Sequence, residues 1–281
     1  SITNIVLLEV TNDTNLPRIN YENGCGSWLL EPQSTNIYLN SETLSTQDNT
    51  TLASTYTVSF YGTGTITFSG THTGSLVGTS LTDRVSATFT ATAGTLTSTV
   101  TGTVTKGQLE QQSYATSYIP TSGATSTRLR DLATDSGNST LINSTEGVLY
   151  FEAKTDELNV GSISINDGTA SNRITARFRS DISKIQLSII GSTDDFNLNS
   201  DAITLLDYNK IAIIYDNGDY YFFINGVKSS VQSRGTFSAN TFTQLDFNRG
   251  GGGEVFYGKV KALAVYKEAL TDAELTALTT I

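Results

Sequence analysis

Two apolar runs separated by an Asn-Gly turn constrain this chain more than any other feature. Residues 209–215 read Asn-Lys-Ile-Ala-Ile-Ile-Tyr, residues 219–225 read Asp-Tyr-Tyr-Phe-Phe-Ile-Asn, and Asp216-Asn217-Gly218 lies between them. Asn and Gly accept the positive φ that a tight hairpin turn demands, and β-branched and aromatic residues suit a pleated surface. The stretch predicts an antiparallel hairpin, and Asn225-Gly226 predicts a second tight turn.

Strand patterns recur on either side. Residues 148–153, 160–165, 173–179, 184–189, 243–247 and 255–266 carry further strand-like runs. Thr271 and Glu274 have capping-box spacing ahead of Leu275 and Leu278, which predicts one short terminal helix. Earlier, residues 56–61, 65–68, 85–89 and 95–105 alternate apolar with hydroxyl residues between glycines, the period of a half-buried strand. Of 281 residues only 16% are charged and 37% hydrophobic, the balance being rich in Thr, Ser, Asn and Gly, while 3 prolines are too few for a mucin-like stalk. The expected fold is all-β, with two consecutive antiparallel β-sandwich (jelly-roll) modules and the short C-terminal helix. A lead-in covers 1–40, with an early strand at 5–10 and a turn at Asn12-Asp13. The first module covers 41–120 and the second 121–281.

A net charge of −10 repels phosphate backbones, so no nucleic-acid partner is expected. Cys25 is the only cysteine, which rules out a disulfide within the chain. No apolar run is long enough to span a bilayer, which predicts a soluble chain with no membrane partner. The lack of Met predicts a fragment or processed product.

The block 209–226 resembles the paired central strands of laminin G and concanavalin A-like lectin domains, where an apolar strand precedes a hairpin and a strand ending in Asn-Gly. Phe256-Tyr-Gly258-Lys-Val260 through Val265-Tyr266-Lys-Glu-Ala269-Leu270-Thr-Asp-Ala-Glu274-Leu275 resembles the closing strand and short helix of the same group. The resemblance runs from around Arg128 to Ile281 and implies that the second module is concanavalin A-like. No calcium-ligand set of that group maps onto this chain. Two further segments, Leu29-Leu-Glu31-Pro32-Gln33-Ser-Thr35-Asn36 and Gln108-Leu-Glu110 through Tyr114-Ala-Thr-Ser117-Tyr118-Ile-Pro120-Thr121, resemble bacteriophage fibre, tail and other virion appendage proteins. In those a carbohydrate-binding-module-like sandwich precedes a lectin-like domain. That resemblance implies a virion or extracellular location, other virion structural proteins as partners, and a homotrimer.

Enzymes share the concanavalin A-like scaffold, and fold alone does not separate them from lectins. Glycoside hydrolysis needs two carboxyls flanking the bond, and the Glu-x-Asp-x-Glu run of glucanases with this fold does not occur. Glu152 with Asp156 and Glu157 has the wrong alternation and reads as a solvated turn. His72, the only histidine, lies in the first module and reads as a surface loop residue, which weakens a Tyr-His pair, a Ser-His-Asp arrangement and a His-rich metal site. Asp194, Asp195, Asp201 and Asp207 read as a solvated acidic loop, with calcium chelation as the alternative. No other cofactor is expected. Arg249-Gly-Gly-Gly-Gly253 lacks the Lys-Ser/Thr of a phosphate cradle and reads as a flexible loop. The sequons at Asn12, Asn49, Asn138 and Asn143 are expected by chance in so hydroxyl-rich a chain.

Sugars present C–H patches and hydroxyls, so an aromatic face with hydrogen-bonding neighbours is the expected means of binding one. Strand alternation sets Thr175, Arg177 and Arg179 opposite Ile174, Ala176 and Phe178, and Tyr221 with Phe223 opposite Tyr220, Phe222 and Ile224. Arg177, Arg179 and Tyr221 on the concave sheet are candidate carbohydrate-binding residues. Trp28 joins them as a stacking platform, or else anchors the lead-in. The expected function is non-catalytic attachment to surface polysaccharide. The alternatives are a purely structural virion joining protein and a polysaccharide depolymerase.

Overall fold

The computed structural model describes residues 18–22, 24–156, 160–191 and 194–281. The predicted strand at 5–10, the Asn12-Asp13 turn and the Asn12 sequon lie outside them. In chain order the strands are β1 (Arg18–Glu22), β2 (Cys25–Leu30), β3 (Ser34–Asn36), β4 (Gln47–Thr51), β5 (Ser54–Gly62), β6 (Thr65–Gly70), β7 (Gly74–Val77), β8 (Ser80–Ala91), β9 (Gly94–Thr101), β10 (Val104–Glu110) and β11 (Ser126–Arg128). They continue as β12 (Glu146–Thr155), β13 (Gly161–Asn166), β14 (Arg173–Arg179), β15 (Lys184–Ile190), β16 (Phe196–Asn199), β17 (Asn209–Asp216) and β18 (Asp219–Ile224). Then come β19 (Val227–Lys228), β20 (Gln232–Ser233), β21 (Gln244–Asp246), β22 (Gly258–Tyr266) and the helix α1 (Asp272–Thr279). Among the described residues no helix is long and apolar enough to cross a membrane.

The chain forms two compact units, and their boundaries differ from 1–40, 41–120 and 121–281. One unit is Glu31–Arg130, while the other takes chain from both sides of it. The part of the lead-in from 18 to 30 is sheet, because β2 pairs with β22 through Trp28↔Val260, Leu29↔Lys259 and Leu30↔Gly258. Without β2, one edge of β22 would present unpaired amides and carbonyls. Glu31–Arg130 is therefore an insertion between β2 and β12.

The inserted sandwich has a sheet ordered β10-β5-β8 and another ordered β4-β9-β6-β7. Val58, Phe60, Ile66, Leu96 and Leu109 from both sheets share one core. A buried polar lock sits beside it. Ser34 Oγ and Thr116 N donate to the Glu110 carboxylate at 2.6 and 3.1 Å, Ser117 N donates to Glu31 at 2.8 Å, and Ile119 N donates to Gln108 Oε1 at 2.6 Å. Burying these side chains is tolerable because their partners are supplied. Glu31, Ser34, Gln108, Glu110 and Thr116 of segments 29–36 and 108–121 thus serve the inside of this sandwich.

The second sandwich stacks an eight-stranded sheet, β1-β2-β22-β12-β17-β18-β19 with β20 on β18, on a five-stranded sheet, β16-β15-β14-β13-β21. The 209–226 hairpin forms as its sequence dictates: Asp216 pairs with Asp219, and Asn217 and Gly218 take φ of 45° and 99°. Gly258 has φ 153°, and a Cβ there would lie 2.1 Å from the Lys154 carbonyl oxygen, so only Gly lets β22 enter beside β12. Between the sheets lie Leu149, Phe151, Ile213 and Phe222 from one and Ile163, Ile174, Phe178 and Leu187 from the other. Full burial of each such side chain contributes roughly 1.5–3 kcal/mol. The helix is capped as predicted, with Thr271 and Glu274 bonding reciprocally, and Leu275 packs with Val148, Ile214 and Phe223 on the outer face of the larger sheet.

Candidate functional site

Strand parity decides which side chains of the five-stranded sheet leave the core. β13 sends Ile163 and Ile165 inward, so Ser162, Ser164 and Asn166 take the outer face; β14 sends Ile174, Ala176 and Phe178 inward, so Arg173, Thr175, Arg177 and Arg179 join them. Register sets Arg177 beside Ser162 and Gln186, and Arg173 beside Asn166. The loop between β21 and β22 adds Arg249 and Glu254.

Glu254 is the hub of this face. Arg177 donates to it twice, Nε to Oε2 at 2.8 Å and Nη2 to Oε1 at 2.7 Å, the bidentate geometry in which Arg binds carboxylate best. Ser162 Oγ donates to Oε2 and Arg249 Nη1 to Oε1, each at 3.0 Å. Burial alone would raise the Glu254 pKa, but the hydrogen bonds from Arg177 and Ser162 and the charges of Arg177 and Arg249 outweigh it and hold the carboxyl below its ordinary value. Gln186 Oε1 accepts from Arg177 Nη1 at 2.6 Å and from Arg179 Nη1 at 3.3 Å. Arg179 is otherwise clamped by Asp181 at 2.8 and 2.6 Å.

A second network anchors the loop that carries Arg249. Asp246 accepts from Asn166 Nδ2 at 3.0 Å and from the Asp135 amide at 2.7 Å, while Ser164 Oγ donates to the Asn248 carbonyl at 2.7 Å. Gly250 donates to Asn248 Oδ1 at 2.6 Å, and Arg249 N donates to the Gly253 carbonyl at 2.7 Å. A Cβ at Gly250 would lie 2.4 Å from the Thr169 carbonyl oxygen. The expectation of a flexible loop at 249–253 is corrected accordingly: the glycines let the backbone pack close and hold Arg249 on the sheet.

Arg173 stands apart from its neighbours. It is 9% exposed, its Nε is buried without a partner, and among the described residues its guanidinium takes part in no hydrogen bond or ion pair. Burial lowers its pKa, and the charges of Arg249 and Arg177 lower it further against those of Glu254 and Asp195.

With this geometry, residues 137–276 match the family model Laminin_G_3, the concanavalin A-like lectin/glucanases superfamily. The second sandwich is a concanavalin A-like domain. No curated protein matches the chain by sequence. Among solved structures it is similar to the CBM40 of a Ruminococcus gnavus IT-sialidase bound to alpha2,3 sialyllactose, at 20% identity over 50% of this chain and 85% of that one, with a TM-score of 0.43. It is also similar to domain 4 of AbnA, a GH43 extracellular arabinanase from Geobacillus stearothermophilus in complex with arabinotriose, at 18% identity over 60% and 81%, TM-score 0.42. A third is a SAP-like pentraxin from Limulus polyphemus, at 14% identity over 51% and 72%, TM-score 0.41.

The four sequence candidates do not form one surface of the concanavalin A-like domain. Arg177 and Arg179 share the outer face of the five-stranded sheet. Tyr221 belongs to the other sheet, beside Phe223 on the helix-covered face, with Lys228 Nζ 4.6 Å from its ring centre. Its parity relative to Tyr220 and Phe222 is as read, but parity does not say which sheet a strand joins. Trp28 is 40% exposed on β2 and lines a small pocket with Val260 and Leu263. A separate cleft of 510 Å³ opens near β16 and β19, with Asp201, Phe222 and Lys228 in its lining.

Other candidates have structural partners. Glu152 faces Lys261 at 3.5 Å, and Glu157 lies outside the described residues. His72, expected on a surface loop, is half-buried and stacks on Phe89 with ring centres 4.1 Å apart. Asp194 pairs with Arg234 at 3.1 Å and Asp195 accepts the Gly191 amide at 2.7 Å. Among the described residues no group of three or more His, Cys, Asp or Glu could hold a metal ion. Sequence reasoning missed Arg173, Arg249 and Glu254. Arg173 was readable, since it has the parity of Thr175 and Arg177.

Proposed function

We propose that the concanavalin A-like domain binds carbohydrate, without catalysing a reaction, on the outer face of its five-stranded sheet. The Arg177–Glu254–Arg249 network carries this reading. Its donors and acceptors are fixed by one another before any ligand arrives, so docking hydroxyls against them loses little side-chain freedom. The matched family, which includes lectins, fits it. Glu254 also suits binding better than catalysis: an anion held by two guanidiniums is a poor proton donor. Screening the full chain on a glycan array, then titrating a hit, is the test. Arg177→Ala should weaken the hit at least tenfold, and an array with no hit overturns the reading. New reducing ends released from a bound polysaccharide would replace it with the depolymerase alternative.

We further propose display on a bacteriophage appendage outside the cell, among other virion proteins and as a homotrimer. The resemblance of segments 29–36 and 108–121 to virion appendage sequences supports this. Mass spectrometry of purified virions and light scattering of the isolated protein test the two parts, and absence from virions or a monomeric mass would refute them.

A further inference from the structure

Buried guanidiniums are nearly always paired, because removing a charge from water costs more than an unpaired group can recover. On the outer face of the five-stranded sheet three arginines act on one another: Arg173, Arg177 and Arg249. Arg177 and Arg249 share Glu254. Arg173 has no such carboxylate, and Asp195, the other acidic group acting on it, accepts the Gly191 amide instead. Next to it on β14, Thr175 is fully buried and its Oγ1 has no partner. Two adjacent polar side chains, each at least nine-tenths buried, are thus left with unused hydrogen-bonding capacity inside a locally positive patch of a chain whose net charge is −10. General basicity does not explain that.

We propose that Arg173 is an anion-binding residue and that the sugar taken by this face is acidic, bearing a carboxylate or a sulfate ester. This rests on the carbohydrate-binding reading and adds the substrate class. A neutral hydroxyl could accept a hydrogen bond from Arg173 but would leave its charge uncompensated. An anionic oxygen pair supplies both, in the forked geometry a guanidinium favours.

The test measures affinity of the full chain for polygalacturonate oligomers, dextran sulfate and neutral dextran, at low and high salt, for wild type, Arg173→Met and Arg173→Lys. One or both acidic ligands should bind at least tenfold tighter than dextran and weaken with salt. Arg173→Met should lose about tenfold to a hundredfold, the scale of one charge-assisted hydrogen-bonded contact. Its thermal stability should not fall, because an unpaired buried charge is removed; Arg173→Lys should fall between. Comparison of the two acidic arms identifies the group. Equal binding of dextran, salt-independent affinity, or an unchanged Arg173→Met overturns the proposal while leaving carbohydrate binding intact. No binding to these or to any arrayed glycan overturns both. If Arg173→Met does not fold, the salt dependence of the wild type and Arg173→Lys decide.

Discussion

The two outer faces of the concanavalin A-like domain are built from the same alternating strands and end in opposite chemistry. On the eight-stranded sheet, Val148, Ala212, Ile214 and Phe223 point outward and are sealed by Leu275 of the helix. On the five-stranded sheet, Ser162, Arg177 and Gln186 point outward and are held by one another and by the loop carrying Glu254. A strand with apolar cover on both sides reads as a continuous apolar run, as β17 and β18 do, whereas β13 and β14 alternate apolar with polar residues although β13 is buried throughout. The first face is closed by apolar packing, whereas the second buries Ser162, Thr175 and Gln186 and leaves Arg177 and Glu254 half-buried.

That contrast can be broken on the sealed side first. Phe223→Ala should cost about 3–5 kcal/mol in urea unfolding and leave glycan affinity of the folded protein unchanged. A smaller loss would mean the helix seals little. On the polar face Arg177→Ala should cost about 1–3 kcal/mol, because Glu254 and Gln186 lose their main donor, and it should also weaken glycan binding.

The same contact has a pH signature. The folded pKa of Glu254 lies below its ordinary value, so its stabilisation is complete above the unfolded carboxylate pKa and disappears as pH falls through the lowered folded one. Melting temperature followed on the acid side should decline less steeply in Arg177→Ala than in wild type. Smaller again, Thr271→Ala removes the helix cap and should cost about 1 kcal/mol, read by the same urea titration, with no effect on sugar affinity.

Much of the architecture was legible because it is local. The Asn217-Gly218 hairpin, the Thr271–Glu274 box and the outward parity of Arg177 and Arg179 each depend on residues a few positions apart. The candidate site was only half legible, since its other half arrives through space. Glu254 reaches Arg177 from a distant loop, and no periodicity announces that a glycine run will lay Arg249 on a sheet. Tyr221 was grouped with Arg177 and Arg179 although it lies on the other sheet, for the same reason: alternation separates two sides of one strand but does not name the layer it joins. The partnership of β2 with β22 is the extreme case.

That partnership sets an order of events during synthesis. When β2 leaves the ribosome it can pair with β1, but its other partner, β22, is still untranslated, and that edge of β2 must remain open while the whole of Glu31–Arg130 is made. The inserted sandwich contains its own pairings and can fold during that interval. A nascent chain arrested once Arg130 has cleared the exit tunnel should accordingly shield β5 and β6 from protease while β2 is cut. Protection of β2 should appear only once β22 has emerged, so the earliest strands are among the last to be secured.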